Sequence, residues 1–448
     1  MTDAGLLASS GIDAGRDEVM TSSESLKVAV SGLLAMAAAL GIGRFVYTPI
    51  LPFMLDALRW SKVDAGLVAS ANFLGYLAGA LIAGHSIISS APRTWLLIAL
   101  VASAATTAGM GLVSDTTAML AMRCIGGAAS AIVIVCASTL VLDRLSAAGR
   151  GNLASIHFAG VGAGIFVSSA VVAALVTYGA GWPSLWIASG SLAALMALLA
   201  AVLIQPIADE PLRCSATEAS AGKPTPIMMI AAYGLFGFGY VITATFLVTI
   251  VRQSPEIRSL EPWIWMLFGL AAVPSVPLWQ RLGQRIGLMR AYAIACVVEA
   301  IGVVASIDWM TISGVCVSAV LLGGTFMGLT ALGLMSARAL AGDRPQQVIG
   351  LMTASFGAGQ MIGPSVAGFL AESTGSLRLP SRLAAAALVL GAGLALLSSI
   401  TAKIVSNGSS ASQSMSRKTE TGLAKKGMLK QKIELGDELK KSHPALLL

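Results

Sequence analysis

Four ionisable side chains lie inside long apolar segments of the 448-residue sequence: Arg44, Arg123, His157 and Glu299. An ionisable group in such a segment is costly unless it has a partner or faces water, which makes each one a candidate for function. A guanidinium suits a carboxylate or a similar anion, and a histidine or a buried carboxyl can carry a proton. These residue types therefore predict anion binding and proton transfer.

Each of the four residues also has a structural interpretation. Arg44 could be tied to carbonyl groups at the end of its segment, and Arg123 could reach the membrane surface or anchor the first segment. His157 could bond a neighbouring carbonyl group, and Glu299 could be a protonated or hydrogen-bonded structural residue. No Asp or Glu falls within the apolar segments of the first half, so the two arginines lack an obvious partner there. That excess of positive charge favours an anionic or electron-rich ligand.

The composition indicates an integral membrane protein. Hydrophobic residues make up 56% of the chain and charged residues only 11%, whereas soluble proteins carry about 25% charged residues. The net charge is +7, and the basic residues lie in the short connections between apolar segments and in the C-terminal tail. They form no basic face interleaved with aromatic residues, so we expect no nucleic-acid partner. The five cysteines form no C-x-x-C pair, and we expect neither disulfides nor a metal or other cofactor.

Other functional classes find little support in the sequence. The chain has three histidines and neither an H-E-x-x-H nor a G-x-S-x-G motif, which makes an intramembrane enzyme the less favoured alternative. No phosphate-binding loop or filter-like motif indicates an ATP-driven pump or a channel. We therefore expect a protein that is not an enzyme and that uses neither metal nor cofactor.

The apolar segments predict twelve transmembrane helices, because about 20 apolar residues cross the hydrocarbon layer and only a helix satisfies the backbone there. Lys and Arg are concentrated in the connections between apolar segments that lie on the same side of the membrane as the N-terminus. This distribution predicts that both termini are cytoplasmic. We expect a multi-pass protein of the cell inner membrane, in contact with the lipid bilayer and monomeric.

An internal repeat divides the chain. Gly126, Gly127, Gly160 and Gly162 recur 197 positions later, and the Gly-x-Gly-Arg pattern ending at Arg44 matches a Gly-x-Gly-Tyr pattern ending at Tyr240. The repeat predicts two six-helix bundles related by a pseudo-twofold axis, as in secondary transporters. The predicted units are a polar cytoplasmic arm (1–25), an N-terminal bundle (26–204), a cytoplasmic linker (205–225), a C-terminal bundle (226–404) and a disordered basic cytoplasmic tail (405–448).

The block GIGRFVYTPILP, from Gly41 to Pro52, resembles the first-span signature of the YbfB/YjiJ-type branch of the major facilitator superfamily. The segments NFLGYLAG, from Asn72, and FGYVITATF, from Phe238, are similar to the same branch. The resemblance covers roughly residues 27–404. It implies the twelve-helix major facilitator fold and transport by alternating access.

The resemblance also implies roles for particular residues. Arg123 begins a segment similar to the arginine motif of the fourth span, and Arg281 and Arg285 resemble the basic gating loop after the eighth span. The loop from His85 to Arg93 lacks the Asp and glycine usual after the second span. The predicted substrate-binding residues are Arg44, Tyr47, Arg123, Tyr240, Thr243, Thr330 and Gln360, and the predicted proton-coupling residues are His157 and Glu299.

Together these features predict a secondary active transporter that moves a small anionic or electron-rich organic solute by rocking of its halves, with proton coupling. We expect the halves to enclose a water-filled cationic cavity near the centre of the bilayer. A polyspecific exporter of the same fold is the main alternative.

Overall fold

The computed structural model describes residues 20–83, 86–204, 226–341 and 345–442, and every regular element in these ranges is helical. In the first half, the α-helices are α1 (Ser22–Met36), α2 (Tyr47–Leu58), α3 (Lys62–Ala83), α4 (Ser86–Ser90), α5 (Pro92–Gly109), α6 (Thr116–Ala147), α7 (Ala154–Thr177) and α8 (Trp182–Leu203). The second half comprises α9 (Ile227–Arg252), α10 (Glu261–Ala272), α11 (Ser275–Ile286), α12 (Leu288–Asp308), α13 (Ile312–Leu340), α14 (Pro345–Thr374) and α15 (Arg378–Ser442).

The number of membrane spans falls below the predicted twelve when length and apolarity are the criteria. Within the described residues, ten helical segments qualify, and an eleventh is formed by the pair α10 and α11, which is bent by 42°. Pro274 lies at this bend, where a proline removes a backbone donor and interrupts the helix. Helix α14 has 30 residues but is not among these spans, since Gln360 and Pro364 interrupt its apolar character.

Two helix pairs make the most extensive contacts between the two halves of the chain. Helix α3 packs along α14, and α7 packs along α10. Under the repeat offset, α3 corresponds to α10 and α7 to α14, so each contact is the counterpart of the other. The second contact is close: a Cβ atom on Gly162 would lie 2.7 Å from the carbonyl oxygen of Gly269, and one on Gly269 would lie 2.9 Å from that of Gly162.

Charged groups close the end of the molecule at which α2 and α9 end. Arg252, at the end of α9, donates to Asp56 of α2 at 2.6 Å and to Glu261 of α10 at 2.8 Å. Nearby, the backbone N–H of Lys62 donates to Glu372 Oε2 at 3.1 Å and so connects α3 to α14. The ion pair with Asp56 and the Lys62 bond both cross from one half to the other.

The last helix departs from the sequence prediction. Residues 405–442 continue α15 without interruption to Ser442, where we predicted a disordered tail. The physical reason is composition: from Leu423 onward the segment is rich in Leu, Lys, Glu and Met, which favour helix strongly. The predicted N-terminal arm up to residue 19 and the predicted linker 205–225 lie outside the described residues.

The two glycine doublets of the repeat generate a matched stability prediction. A Cβ atom on Gly127 of α6 would collide with the carbonyl oxygen of Asn72 in α3, whereas the nearest atom to a Cβ on its repeat counterpart Gly324 is 4.0 Å away. We expect Gly127→Ala to lower stability by roughly 1–3 kcal/mol, as overpacking does. Gly324→Ala should be neutral or stabilising, because alanine favours helix.

Thermal unfolding of the two purified variants in detergent measures this difference. Equal midpoints for Gly127→Ala and Gly324→Ala would show that the backbones of α3 and α6 are not in the close contact described here.

Candidate functional site

The first span is broken in the middle of the membrane-crossing segment Ser22–Leu58. Helix α1 passes into a π-helical turn, Ala37–Ile42, and α2 begins only at Tyr47. Pro49 has no N–H with which to bond the carbonyl group four residues earlier, so the helix cannot continue regularly through this region. The break leaves carbonyl groups without their usual partners at a depth where lipid offers none.

Two side chains from elsewhere satisfy these carbonyl groups. The indole Nε1 of Trp265 donates to the carbonyl oxygen of Phe45 at 3.2 Å, which is the bond that Pro49 cannot make. Arg123 donates through Nη1 to the carbonyl of Gly43 at 3.1 Å and through Nη2 to that of Arg44 at 3.2 Å. The backbone of the break is therefore held by one residue from each half of the chain.

Arg123 is positioned as an anchor of the first span. Its guanidinium lies 5.0 Å from the ring centre of Tyr47 and 5.9 Å from that of Trp186, and it is buried. The hydroxyl of Tyr47 donates to the carbonyl oxygen of Ala65 at 2.8 Å. Both predicted binding residues thus use polar groups within the protein. The geometry favours the anchoring interpretation of Arg123 over substrate binding.

Arg44 is placed differently, between aromatic rings. The residue is only 5% exposed, and its guanidinium lies 4.5 Å from the ring centre of Phe73, 4.4 Å from that of Tyr76 and 5.3 Å from that of Phe45. Its Nε and Nη2 atoms are buried without a hydrogen-bond partner. Phe45 in turn meets Phe326 of the second half at 5.4 Å, edge to face. The cation therefore lies where the two halves meet, with donors unused.

A stack of aromatic rings forms the opposite wall. The ring of Tyr240 is stacked against those of Phe236 and Phe326 at 5.1 Å each and against Phe356 at 5.9 Å. The amide Nε2 of Gln360 donates to the hydroxyl of Tyr240, and its Oε1 is buried without a partner. Two of the predicted binding residues are therefore in direct contact, and one of them retains a free acceptor.

The space beside Arg44 is small. A void of about 10 Å³ is lined by Arg44, Phe45, Tyr47, Thr48, Ala69, Phe73, Arg123, Val241, Ala244 and Thr245. That volume is about enough for one water molecule. The water-filled cavity predicted from the sequence is therefore not open beside Arg44 in this conformation.

The two predicted threonines differ in their bonding. Thr243, one turn beyond Tyr240, is buried with its hydroxyl unpartnered. The hydroxyl of Thr330 donates to the carbonyl oxygen of Phe326 at 3.1 Å, and its own carbonyl accepts from Tyr233 at 3.3 Å. Thr243 thus has a free hydroxyl, whereas Thr330 already bonds its own helix.

The two predicted proton carriers lie in different surroundings. His157 is at the end of the first turn of α7 rather than mid-span, because α7 begins at Ala154; its Nε2 is 3.1 Å from Ser138 Oγ, within the first half. Glu299 of α12 is 1% exposed, and neither carboxyl oxygen has a hydrogen-bond partner. Tyr292, seven residues before it on α12, meets Phe236 of the wall at 6.4 Å edge to face. Glu299 is therefore on a helix that contacts the aromatic wall.

The predicted gating residues Arg281 and Arg285 lie on helix α11 rather than in a loop. The helix continues to Ile286 and ends at Gly287, whose φ of 96° is the left-handed conformation that terminates it. Both arginines are exposed. His85, in the corresponding segment of the first half, lies outside the described residues.

Several residues of the site were not predicted from the sequence: Phe73, Tyr76, Trp265, Phe326 and Phe356. The signal that could have indicated some of them is aromatic spacing. Phe73 and Tyr76 are three residues apart on α3, and Tyr233, Phe236 and Tyr240 follow one another at helical spacing on α9, so each set shares one helix face.

The bond from Trp265 to the broken span generates a second matched prediction. Trp265→Phe should lower stability by about 1 kcal/mol, because the buried carbonyl of Phe45 loses the indole donor and keeps only the 3.3 Å bond from the backbone N–H of Thr48, while most of the ring volume is retained. Trp263→Phe is the control, since Trp263 is on the same helix and 59% exposed. Thermal unfolding in detergent measures both; an equal effect in the two variants would contradict the proposed bond.

Comparisons with known proteins agree with this architecture. The sequence matches the family described as "Uncharacterised MFS-type transporter YbfB" over residues 36–396. No curated protein matches it significantly. A crystal structure of a point variant of the nucleoside transporter NupG has the same fold, with a TM-score of 0.63, 16% identity, and coverage of 84% of this chain and 98% of that chain.

A second crystal structure of the nucleoside transporter NupG superposes with a TM-score of 0.58 and 15% identity, over 84% of this chain and 98% of that chain. At this identity the likeness shows the fold alone. The family match covers most of the chain and confirms the resemblance carried by the block from Gly41 to Pro52. This chain belongs to the YbfB-type family of major facilitator superfamily transporters, which are multi-pass membrane proteins.

Proposed function

We propose that this chain is a monomeric secondary active transporter of the cell inner membrane that moves a small organic anion by alternating access. The observation that carries the proposal is Arg44, a buried guanidinium at the meeting of the two halves with two unpartnered nitrogen atoms. Among the described residues no carboxylate forms an ion pair with it. A buried cation without an anionic partner is costly, so a bound anion would stabilise the site.

The two halves, residues 26–204 and 226–404, move as the rocking units in this proposal. The equivalence of the α3–α14 and α7–α10 contacts under the repeat offset supports a pseudo-twofold relation between them. With both termini on the cytoplasmic side, α2 and α9 end on the outer side. The ion pair between Arg252 and Asp56 then closes the outer entrance, and opening that entrance breaks it.

Proton coupling is assigned to Glu299 rather than to His157. A buried carboxyl whose oxygens have no hydrogen-bond partner is stable when it carries a proton and costly when it does not. Glu299 is also on α12, which contacts the aromatic wall through Tyr292 and Phe236. Movement of the halves that brings water or the substrate to this wall would allow the proton to leave.

The transport proposal predicts solute-driven proton movement. Purified protein is reconstituted in liposomes that contain a pH-sensitive dye, and a panel of organic anions is added outside. We expect at least one anion to change the internal pH in a protein-dependent manner. Arg44→Gln should reduce that flux at least about tenfold, because the anion loses its charge partner.

The matched control is Arg258→Gln, which removes an exposed arginine. It should keep the wild-type flux. Equal flux in Arg44→Gln and the wild type would contradict the assigned role of Arg44. The absence of any protein-dependent flux would contradict the proposed transport function. Monodisperse elution of Arg44→Gln in detergent establishes that the variant is folded.

The coupling assignment predicts that Glu299→Gln abolishes solute-driven proton flux but retains exchange of internal for external solute, since exchange requires no net proton transfer. His157→Gln should keep both activities and lose only stability, because it removes a contact within the first half. Internal pH and exchange of labelled solute measure the two effects. Coupled flux that survives in Glu299→Gln and disappears in His157→Gln would reverse the assignment.

A further inference from the structure

The unused edge of Arg44 fits one carboxylate group. Nε and Nη2 are the two nitrogens on one edge of a guanidinium, and both are buried without a partner. Two parallel N–H donors on one edge match the two oxygens of a carboxylate in bidentate geometry. An amine or a neutral hydroxyl group could not satisfy both donors at once.

Three aromatic rings surround the same guanidinium. Its central carbon lies between 4.4 and 5.3 Å from the ring centres of Phe45, Phe73 and Tyr76. A cation over a ring face is attracted to the ring, and these contacts hold the long side chain in place before any ligand arrives. The two nitrogens without a partner are therefore held in a fixed position for a ligand.

A wall of nearly parallel rings lies next to the residue that follows Arg44. The ring planes of Phe326 and Phe356 make angles of 28° and 7° with that of Tyr240. Tyr240 is stacked on Phe236, Phe326 and Phe356 of its own half, so separation of the halves leaves its ring covered. Phe45 of the first half meets Phe326 edge to face. When the halves separate, Phe326 loses this partner and can contact another ring, and aromatic rings stack on one another in offset geometry.

We infer that the substrate of this site is a planar aromatic carboxylate, with its carboxylate on the Nε and Nη2 edge of Arg44 and its ring against Phe326, in the place that Phe45 occupies here. A saturated carboxylate would use the charged edge but stack poorly on the wall. A neutral aromatic compound would stack on the wall but leave the charged edge unpaired. The inference rests on the proposed transport function and specifies its substrate class.

Three probes of similar size separate these contributions: benzoate, cyclohexanecarboxylate and benzamide. Binding to the full-length protein in detergent is measured as the rise of its thermal midpoint with probe concentration, since a ligand of the native state stabilises it. We expect benzoate to bind about tenfold more tightly than cyclohexanecarboxylate, through stacking. Benzamide should bind at least about tenfold more weakly than benzoate, because it lacks the charge.

Variants place the binding in this site. Arg44→Gln should remove the preference for benzoate over benzamide. Phe326→Leu should remove the preference for benzoate over cyclohexanecarboxylate. Arg258→Gln and Phe369→Leu are the controls, because Arg258 is exposed and Phe369 is 65% exposed. The wild-type comparison of the three probes decides the inference even where a variant fails to fold.

Equal affinity for benzoate and cyclohexanecarboxylate would overturn the inference that the substrate is aromatic. Equal affinity for benzoate and benzamide would overturn the inference that it is anionic. Failure of benzoate both to bind and to compete, while another anion drives proton flux in liposomes, overturns the inference and leaves the transport function intact. Benzoate binding that depends on Arg44, with no solute driving any flux, supports the inference and contradicts the transport function.

Discussion

The carbonyl groups exposed by the break in the first span impose the main constraint on this structure. A regular helix would satisfy its own backbone, but Pro49 lacks the N–H that would bond the carbonyl of Phe45. At membrane depth neither water nor lipid can replace the missing bonds. Side chains supply hydrogen bonds instead: Arg123 of the first half and Trp265 of the second half donate to carbonyl groups of the broken segment. The site is therefore organised by backbone groups that must not remain unpaired.

This constraint separates the two buried arginines by role. The terminal nitrogens of Arg123 donate to backbone carbonyl groups, one of which belongs to Arg44. The side chain of Arg44 itself packs against the rings of Phe73 and Tyr76. One arginine thus fixes the segment from which the other projects. Substitution of Arg123 would therefore disturb the backbone of the segment that carries Arg44.

Much of the site was predictable because charge is conspicuous in an apolar chain. Arg44, Tyr240 and Gln360 were predicted from residue type and the repeat, and the structure places all three where the halves meet. The aromatic rings were missed because lipid-facing and interior positions of a membrane helix are equally apolar, so hydropathy does not distinguish Phe326 from the exposed Phe369.

The remaining differences have similar causes. The bond from Trp265 to Phe45 joins residues 220 positions apart, and local sequence does not indicate such a contact. Span counting by apolarity predicted a charge-free run for α14 but did not weigh Gln360 and Pro364, the groups that set this helix apart from the others. His157 was placed mid-span because sequence gives the length of an apolar run more reliably than the start of its helix.

Asp56 and Arg252, which form an ion pair, are 196 positions apart in the sequence. Arg44 and Tyr240 have the same separation. So do Thr48 and Ala244, and the hydroxyl of Thr48 donates to the carbonyl oxygen of Ala244. Corresponding positions of the two halves therefore face each other along α2 and α9. Two identical copies of the first half, assembled as a homodimer, would oppose aspartate with aspartate here, and two copies of the second would oppose arginine with arginine. The attraction across this contact therefore depends on a difference between the two halves at corresponding positions, which a single chain with unlike halves can carry and a dimer of identical halves cannot.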